Sequence, residues 1–282
     1  MSIPSNLILL ESIFAFKIFI GGSLEISATF KVFGFSKISF AGPTCKTFPS
    51  SSTMTSPLSS MASLGSVVEK ITNEISQKEL EEVVRGFNQN DDIHGLLVQT
   101  PLPNHIDENR IVDLIDPKKD VDGFHPYNMG RLAIRRPALR CCTPWGVMQM
   151  LDHIDTKYHG LETTIIGASN HVGRPLTLEL LLAGCTVTTT HKFTKNIETK
   201  VKNADLVISA VGKPNLIPGK WIKPGAIAID IGITRDKQGK LHGDFRFEEV
   251  KEIASWITPV PGGVGPMTRA VLLQNTMQSA QE

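Results

Sequence analysis

The sequence predicts an α/β protein: a doubly wound parallel sheet of Rossmann-like layout, preceded by a smaller α/β domain. Short β-branched or apolar runs lie at residues 163–166, 186–190, 206–211 and 226–231, and Gly167, Gly212 and Gly232 close three of them. Between the first two, Val172, Leu176, Leu180 and Ala183 recur at helical spacing and Gly184 ends the pattern. Strands that alternate with helices in this way make a parallel sheet with ligands at the strand carboxyl ends.

The stretch from Thr163 to Pro175 is the third observation. A strand, a polar turn and a helix follow one another there, with Pro175 in the first helical turn, where its missing N–H costs nothing. Gly167 and Gly173 are six apart, one more than in G-x-G-x-x-G, and Ser169 stands near the place of the absent second glycine. Gly167, Ala168 and Ser169 are thus candidates to face a pyrophosphate at a helix N-terminus, whose dipole favours anions. A plain strand–helix turn is the alternative. The next strand ends at His191-Lys192 with no carboxylate beside it. An acidic residue there accepts from a ribose 2′-OH, whereas a cation pairs with a 2′-phosphate, so Lys192 favours NADP over NAD.

Composition narrows the class. A chain of 282 residues with 41% hydrophobic residues and a net charge of +1 is globular, with no general attraction to nucleic acid or an anionic membrane. The four cysteines show no CxxC and no zinc spacing, and Cys141 and Cys142 are adjacent, which suits neither a disulfide framework nor a metal cage. Buried thiols of a cytoplasmic protein are the reading, with no metal.

Residues 1–66 differ from the rest. Eight of the thirteen phenylalanines precede residue 50, and no arginine precedes Arg85. The apolar stretch at 7–20 carries Glu11 and Lys17 and lacks a basic leader, so it makes a poor signal peptide. Residues 49–66 are dominated by Ser, Thr and Met and read as a flexible linker. The segment reads as lying outside the catalytic fold, as a misassigned gene start would produce; a strand-rich extension is the other reading.

Order begins near Ser76, which precedes an apolar face of Leu80, Val83, Val84 and Phe87 with Glu79 placed to close a capping box. A buried strand over 93–98 is broken by the Pro-Leu-Pro of residues 101–103, a helix over 108–115 stops before Asp116-Pro117, and residues 118–126 form a charged loop. Thr143-Pro144 opens the helix leading to the dinucleotide unit. Residues 259–266 are a rigid glycine-rich bend, and the last helix presents Ala270, Leu273, Met277 and Ala280 as the face expected to pack back on the first domain.

Four motifs together, residues 95–103, 119–125, 167–175 and 259–268, resemble the bifunctional methylenetetrahydrofolate dehydrogenase/cyclohydrolase family, in the family's order and over about three quarters of the chain. The resemblance implies oxidation of 5,10-methylenetetrahydrofolate with NADP, hydrolysis of the methenyl product to 10-formyltetrahydrofolate, and a homodimer. It also implies a domain layout: an atypical segment at 1–66, the remainder of a folate-binding domain at 67–143, the NADP domain at 144–264 and the returning helix at 265–282. Asp122 matches the family's pterin-binding aspartate, and a carboxylate can accept from both the N3–H and the 2-amino group; a solvated loop acid is its other reading. Gln99 matches the family's active-site glutamine, which hydrogen-bonds the catalytic lysine, with a loop-capping amide as the alternative, and the resemblance makes Gln99 and Asp122 the catalytic candidates. Ile233 matches a residue at the nicotinamide end, and Pro261, Gly262 and Gly263 belong to the bend that serves the folate cleft. Asp120 is read as pairing with Lys118 or Lys119 or as holding its loop, and His125 has no assigned role. Thr234 stands where the family commonly has asparagine.

The family's Tyr-x-x-x-Lys is absent. The lysines before Lys78 are Lys17, Lys31, Lys37, Lys46 and Lys70, none in that setting, so no catalytic lysine is carried over and the folate domain reads as incomplete. A non-catalytic NADP-binding remnant is therefore the competing reading. If Lys192 meets the 2′-phosphate, Lys192→Asp lowers NADP affinity by about 1–3 kcal/mol and leaves NAD affinity similar or better. Equal loss for both cofactors, measured by titration, refutes that placement.

Overall fold

The computed structural model describes residues 12–20 and 62–70, as backbone strands, and residues 74–281. Its centre is a five-stranded parallel sheet. The strands are β4 (Glu162–Ile166), β5 (Thr186–Thr190), β6 (Leu206–Ser209), β7 (Ile227–Asp230) and β10 (Trp256–Ile257), in the order β10-β7-β6-β4-β5. Neighbouring residues of one strand feed opposite cores. Ile165, Leu206, Ile208 and Ile229 pack with the helices α4 (Cys142–His153), α5 (Gly173–Ala183) and α8 (Val264–Ser279). Ile166, Val207 and Ala228 pack on the other face with Val201, Phe245 and Val250. Helices therefore cover both faces, which is why these strands read as continuous apolar runs rather than alternating ones.

Ahead of this sheet stands the smaller domain. The helix α1 (Gln77–Gln89) begins at the expected capping box: Ser76 Oγ accepts from Glu79 N at 3.3 Å, and Glu79 Oε2 accepts from Ser76 N at 2.8 Å. Its apolar face joins β3 (Gly95–Val98) and α2 (Glu108–Leu114) in a core of Leu80, Val84, Leu96, Ile106 and Ile111. The Nζ of Lys119 closes the far end of α1, donating to Asn88 O at 2.8 Å and Asn90 O at 2.9 Å.

The structure revises the reading of residues 1–66. Strand β1 (Ser12–Ile20) is the middle strand of a sheet ordered β2-β1-β3, antiparallel to β2 (Ala62–Lys70) and to β3, with Phe14 opposite Leu97. Part of the segment thus contributes strands to the first domain, and the expected linker ends inside β2. Ladder bonds to a partner some fifty residues away override the Ser-rich local composition. The rest of that linker, residues 49–61, lies outside the described residues.

Two helical expectations also change. Residues 126–133, taken with the charged loop or left unassigned, form α3 (Pro126–Ala133); His125, given no role in the sequence, is its N-cap, with Nδ1 accepting from Tyr127 N at 3.0 Å. Along α8 the buried positions are Val264, Pro266, Met267, Val271, Leu272, Asn275 and Thr276, not the stripe of Ala270, Leu273, Met277 and Ala280. The helix does return to the first domain, where Val271 and Leu272 pack with Val121 and Cys142, but it turns two polar residues inward.

Candidate active site

The loops at the carboxyl ends of the parallel strands form the site. At the end of β4, Gly167 takes φ +113°, and a Cβ there would lie 2.5 Å from Ala210 O. A Cβ on Gly173 would lie 2.0 Å from Gly167 O, so strand and helix approach as closely as bare backbone permits. Gly167 and Gly173 thus provide the close approach that a dinucleotide turn requires, despite the irregular spacing. Ser169 shapes the turn between them: its Oγ accepts from Val172 N at 3.1 Å and its carbonyl from Arg174 N at 3.0 Å. Beyond β5, Lys192 is exposed, with its ammonium 4.9 Å from the centre of the Phe193 ring.

Two buried carboxylates hold the next loops. Asp230, at the end of β7, accepts from Gly232 N at 3.1 Å, Asp244 N at 3.0 Å and Phe245 N at 3.0 Å. Burial pushes its carboxyl up to about 7 despite these donors, and Asp244 adds to the rise. Asp244 accepts from Ser209 Oγ at 2.7 Å and from the amides of Val211, Gly212 and Lys213 at 2.8, 3.3 and 2.8 Å. The loops after β6 and β7 are therefore tied to one short segment, 243–245. Thr234 joins them, donating its Oγ1 to Gly212 O at 3.0 Å. A cavity of about 270 Å³ opens here, and Ile233, Pro261, Gly262 and Gly263 line it together with Asp230, Thr143 and Arg269.

On the facing domain, Asp120 is the loop holder that was one of its two sequence readings. Its carboxylate is buried and accepts from the amides of Gly123, Phe124 and His125 and from Asn128 Nδ2 at 2.9 Å. It pairs with neither lysine beside it. Asp122, two residues on, is half-buried, and its carboxyl is pushed up to about 7, first by burial and then by the charge of Asp120, while the Cys142 thiol opposes the shift. Gln99 is exposed, and its Nε2 donates to the adjacent Thr100 O at 3.1 Å, a loop-capping contact.

The structure thus gathers Ile233, Pro261, Gly262 and Gly263 around one cavity, while Gln99, Asp122, Lys192 and the Gly167–Ser169 turn lie outside its lining. Two links connect these parts. Thr143, in the lining, follows Cys142, whose thiol meets Asp122. His171, in the glycine turn, packs against Phe124 with the rings tilted by 43° and their centres 4.5 Å apart, and its Nε2 lies 3.6 Å from Glu108 Oε1. Sequence reasoning missed Asp230, Asp244, His171 and Cys142. An aspartate closing an apolar strand, as Asp230 does, was the available signal, because a buried carboxylate must find donors.

Two family models match the chain: tetrahydrofolate dehydrogenase/cyclohydrolase, NAD(P)-binding domain, over residues 141–282, and the catalytic domain of the same family over residues 54–122. The second match begins well before residue 67, where the motifs placed the start of that domain. The bifunctional protein FolD of Methylobacillus flagellatus is 56% identical over 206 residues, 73% of this chain and 71% of that protein. The FolD methylenetetrahydrofolate dehydrogenase/cyclohydrolase of Campylobacter jejuni superposes with a TM-score of 0.73 at 47% identity, covering 74% of each chain. The Trypanosoma brucei enzyme, solved with NADP cofactor and an inhibitor, gives 0.71 at 37% identity over 74% of each chain.

Gly173→Ala is expected to force the turn open, because its Cβ meets backbone rather than a movable side chain, and to abolish measurable NADP binding in a fluorescence titration while the far-ultraviolet spectrum stays unchanged. Binding as tight as in the parent chain would show that the turn does not need the close approach. From the matched models, the covered relatives and the geometry of the turn and cleft, the chain belongs to the tetrahydrofolate dehydrogenase/cyclohydrolase family.

Proposed function

We propose that this chain carries out both reactions of its family in the cleft between Asp122 and the bend at residues 259–266. It oxidises 5,10-methylenetetrahydrofolate to the methenyl form with NADP and hydrolyses that product to 10-formyltetrahydrofolate. The observation that carries the reading is Asp122: a half-buried carboxylate on a loop fixed by Asp120, joined through Cys142 and Thr143 to the cavity that Ile233 lines. The residues present fit the cofactor, since the Gly167–Gly173 turn is a cradle that a Cβ would fill. Gly167, Ala168 and Ser169 would hold its pyrophosphate, Lys192 its 2′-phosphate, and Ile233 would border its nicotinamide end. Bound NADP supplies the hydride acceptor.

The residues divide the work. Asp122 accepts from the pterin N3–H and 2-amino group and so fixes the ring. The bend with Pro261, Gly262 and Gly263 would bound the cavity that receives the reacting end of the folate. Gln99 stands at the mouth of the first domain, exposed, as a polar contact for the folate. The chain works as a homodimer, as the family resemblance implies, and in the cytoplasm, in keeping with its buried free thiols; among the described residues β5 is an outer strand of the parallel sheet, with the exposed Phe193 beyond it, and offers a ladder for a second copy. Among the described residues no helix is long and apolar enough to cross a membrane.

Hydride transfer depends mainly on position, whereas hydrolysis needs a proton donor and acceptor at the bridging carbon. With no Tyr-x-x-x-Lys in the sequence, the cyclohydrolase rate is expected to fall furthest behind that of the relatives, on the order of 10²–10⁴-fold, the usual worth of a positioned acid/base. Following NADPH formation and methenyl loss by absorbance separates the two steps. Methenyl hydrolysis at a full family rate would mean that another group does this work.

Asp122→Asn is expected to weaken tetrahydrofolate binding by about 1–3 kcal/mol, because the amide presents an N–H to one of two pterin donors. NADP binding should hardly change. Since the carboxylate form is the acceptor and its midpoint lies about pH 7, folate affinity in the parent chain is full above that pH and falls as pH drops through it, a dependence the variant loses. Calorimetric titration of each ligand between pH 6 and 8 checks both points, and unchanged folate affinity would return Asp122 to the role of a loop acid.

A further inference from the structure

The segment carrying Asp122 is held at three consecutive carbonyls. Val121 O accepts from Asn275 Nδ2 at 2.8 Å and lies 3.3 Å from Cys142 Sγ. Asp122 O accepts from Cys142 N at 3.3 Å, and Gly123 O from Cys141 Sγ at 2.9 Å. Gly123, at φ +78°, lets the two segments meet: a Cβ there would lie 2.5 Å from Arg140 C and Cys141 N. Asn275 is 2% exposed and donates also to Arg140 O at 2.8 Å, so α8 stitches residues 121–123 to residues 140–142.

The thiol of Cys142 donates to Val121 O at 3.3 Å, beside the Asn275 amide on the same carbonyl, whose two lone pairs accept both. It also favours the charged form of the Asp122 carboxyl. We propose that Cys142 and Asn275 are positioning residues for Asp122: both donate to the Val121 carbonyl, and the Cys142 N–H to the Asp122 carbonyl, so together they fix the backbone from which the carboxylate reaches the cleft. This rests on the reading of Asp122 as the pterin acceptor. The titratable groups about Asp122 are Asp120 on its own loop and Cys141 and Cys142 at the start of α4. Arg140 is turned away to Glu179, at 3.6 Å, and to the face of Trp145. The S–H is thus the donor that favours the charged form against burial and Asp120.

Tetrahydrofolate affinity of the full chain, measured by calorimetry with NADP present between pH 6 and 8, tests the assignment without requiring turnover. Cys142→Ala is expected to weaken binding roughly fivefold, the worth of one modest hydrogen bond, and to move the pH midpoint of binding upward. Cys142→Ser, which restores a donor of similar size, should recover the affinity and bring the midpoint back or lower it. Asn275→Leu should weaken folate binding and leave NADP affinity unchanged. A cysteine that only packs predicts the reverse order, alanine tolerated and serine harmful, and that result overturns the proposal. Should Cys142→Ala fail to fold, a rise in the midpoint for Cys142→Ser would overturn it instead. Asp122→Asn, measured alongside, separates the two failures. If it leaves folate affinity intact, the pterin reading is wrong; if it alone weakens binding, the clamp is wrong and the reading stands.

Discussion

A carboxylate taken out of water must be given donors, and this requirement shapes the loops that face the cleft. Asp120, Asp230 and Asp244 are each at least 96% buried, and each gathers backbone amides from residues that would otherwise belong to unconstrained turns. Asp244 alone draws in three consecutive N–H groups after β6. Loops rich in glycine have many conformations to lose, so their definition has to come from such fixed acceptors. The sheet places the loops; the buried aspartates give them one shape.

The parallel sheet was legible because its signals are local. Glycines at strand ends, a proline in the first turn of α5 and Gly184, left-handed at φ +104° as the helix cap, announce themselves within a few residues. What escaped depends on partners far away in the chain. The buried face of α8 includes Asn275 and Thr276, which an apolar stripe cannot reveal, since their burial is compensated by Val121 O and Arg140 O and by Leu272 O. Helix α3 hid for a related reason: Asn128 is 2% exposed and polar, held by Pro117 O and Asp120. Among the candidate site residues, the glycines of the turn were recognisable from backbone demands alone. Cys142 was not, because two adjacent cysteines carry no spacing signal and their meaning appears only when residues 121–123 lie against them.

The junction between the two domains is built from a different kind of contact. Arg140, in the connection from α3 to α4, lays its guanidinium 3.9 Å from the centre of the Trp145 ring and 3.6 Å from Glu179 Oε2 on α5. Glu179 is 2% exposed, its Oε1 has no hydrogen-bond partner among the described residues, and burial lifts its carboxyl to about 7 against the pull of Arg140. Such a pair contributes little net stability, but removing either member would strand the other. It ties α5 to the connection between the domains, on the same helix whose preceding turn meets Phe124 through His171.

The stitch made by Asn275 joins residues separated by 154 positions in the chain. As the protein emerges from the ribosome, the strands of the parallel sheet precede α8, yet the core on one face stays open until Val264 and Met267 of that helix arrive. The loop bearing Asp122, synthesised long before, has to wait for that helix to arrive. A nascent chain stalled after β10 would carry the glycine turn but lack residues 259–269, so the cavity lining and the support beneath Asp122 are completed together, by the last segment to be made.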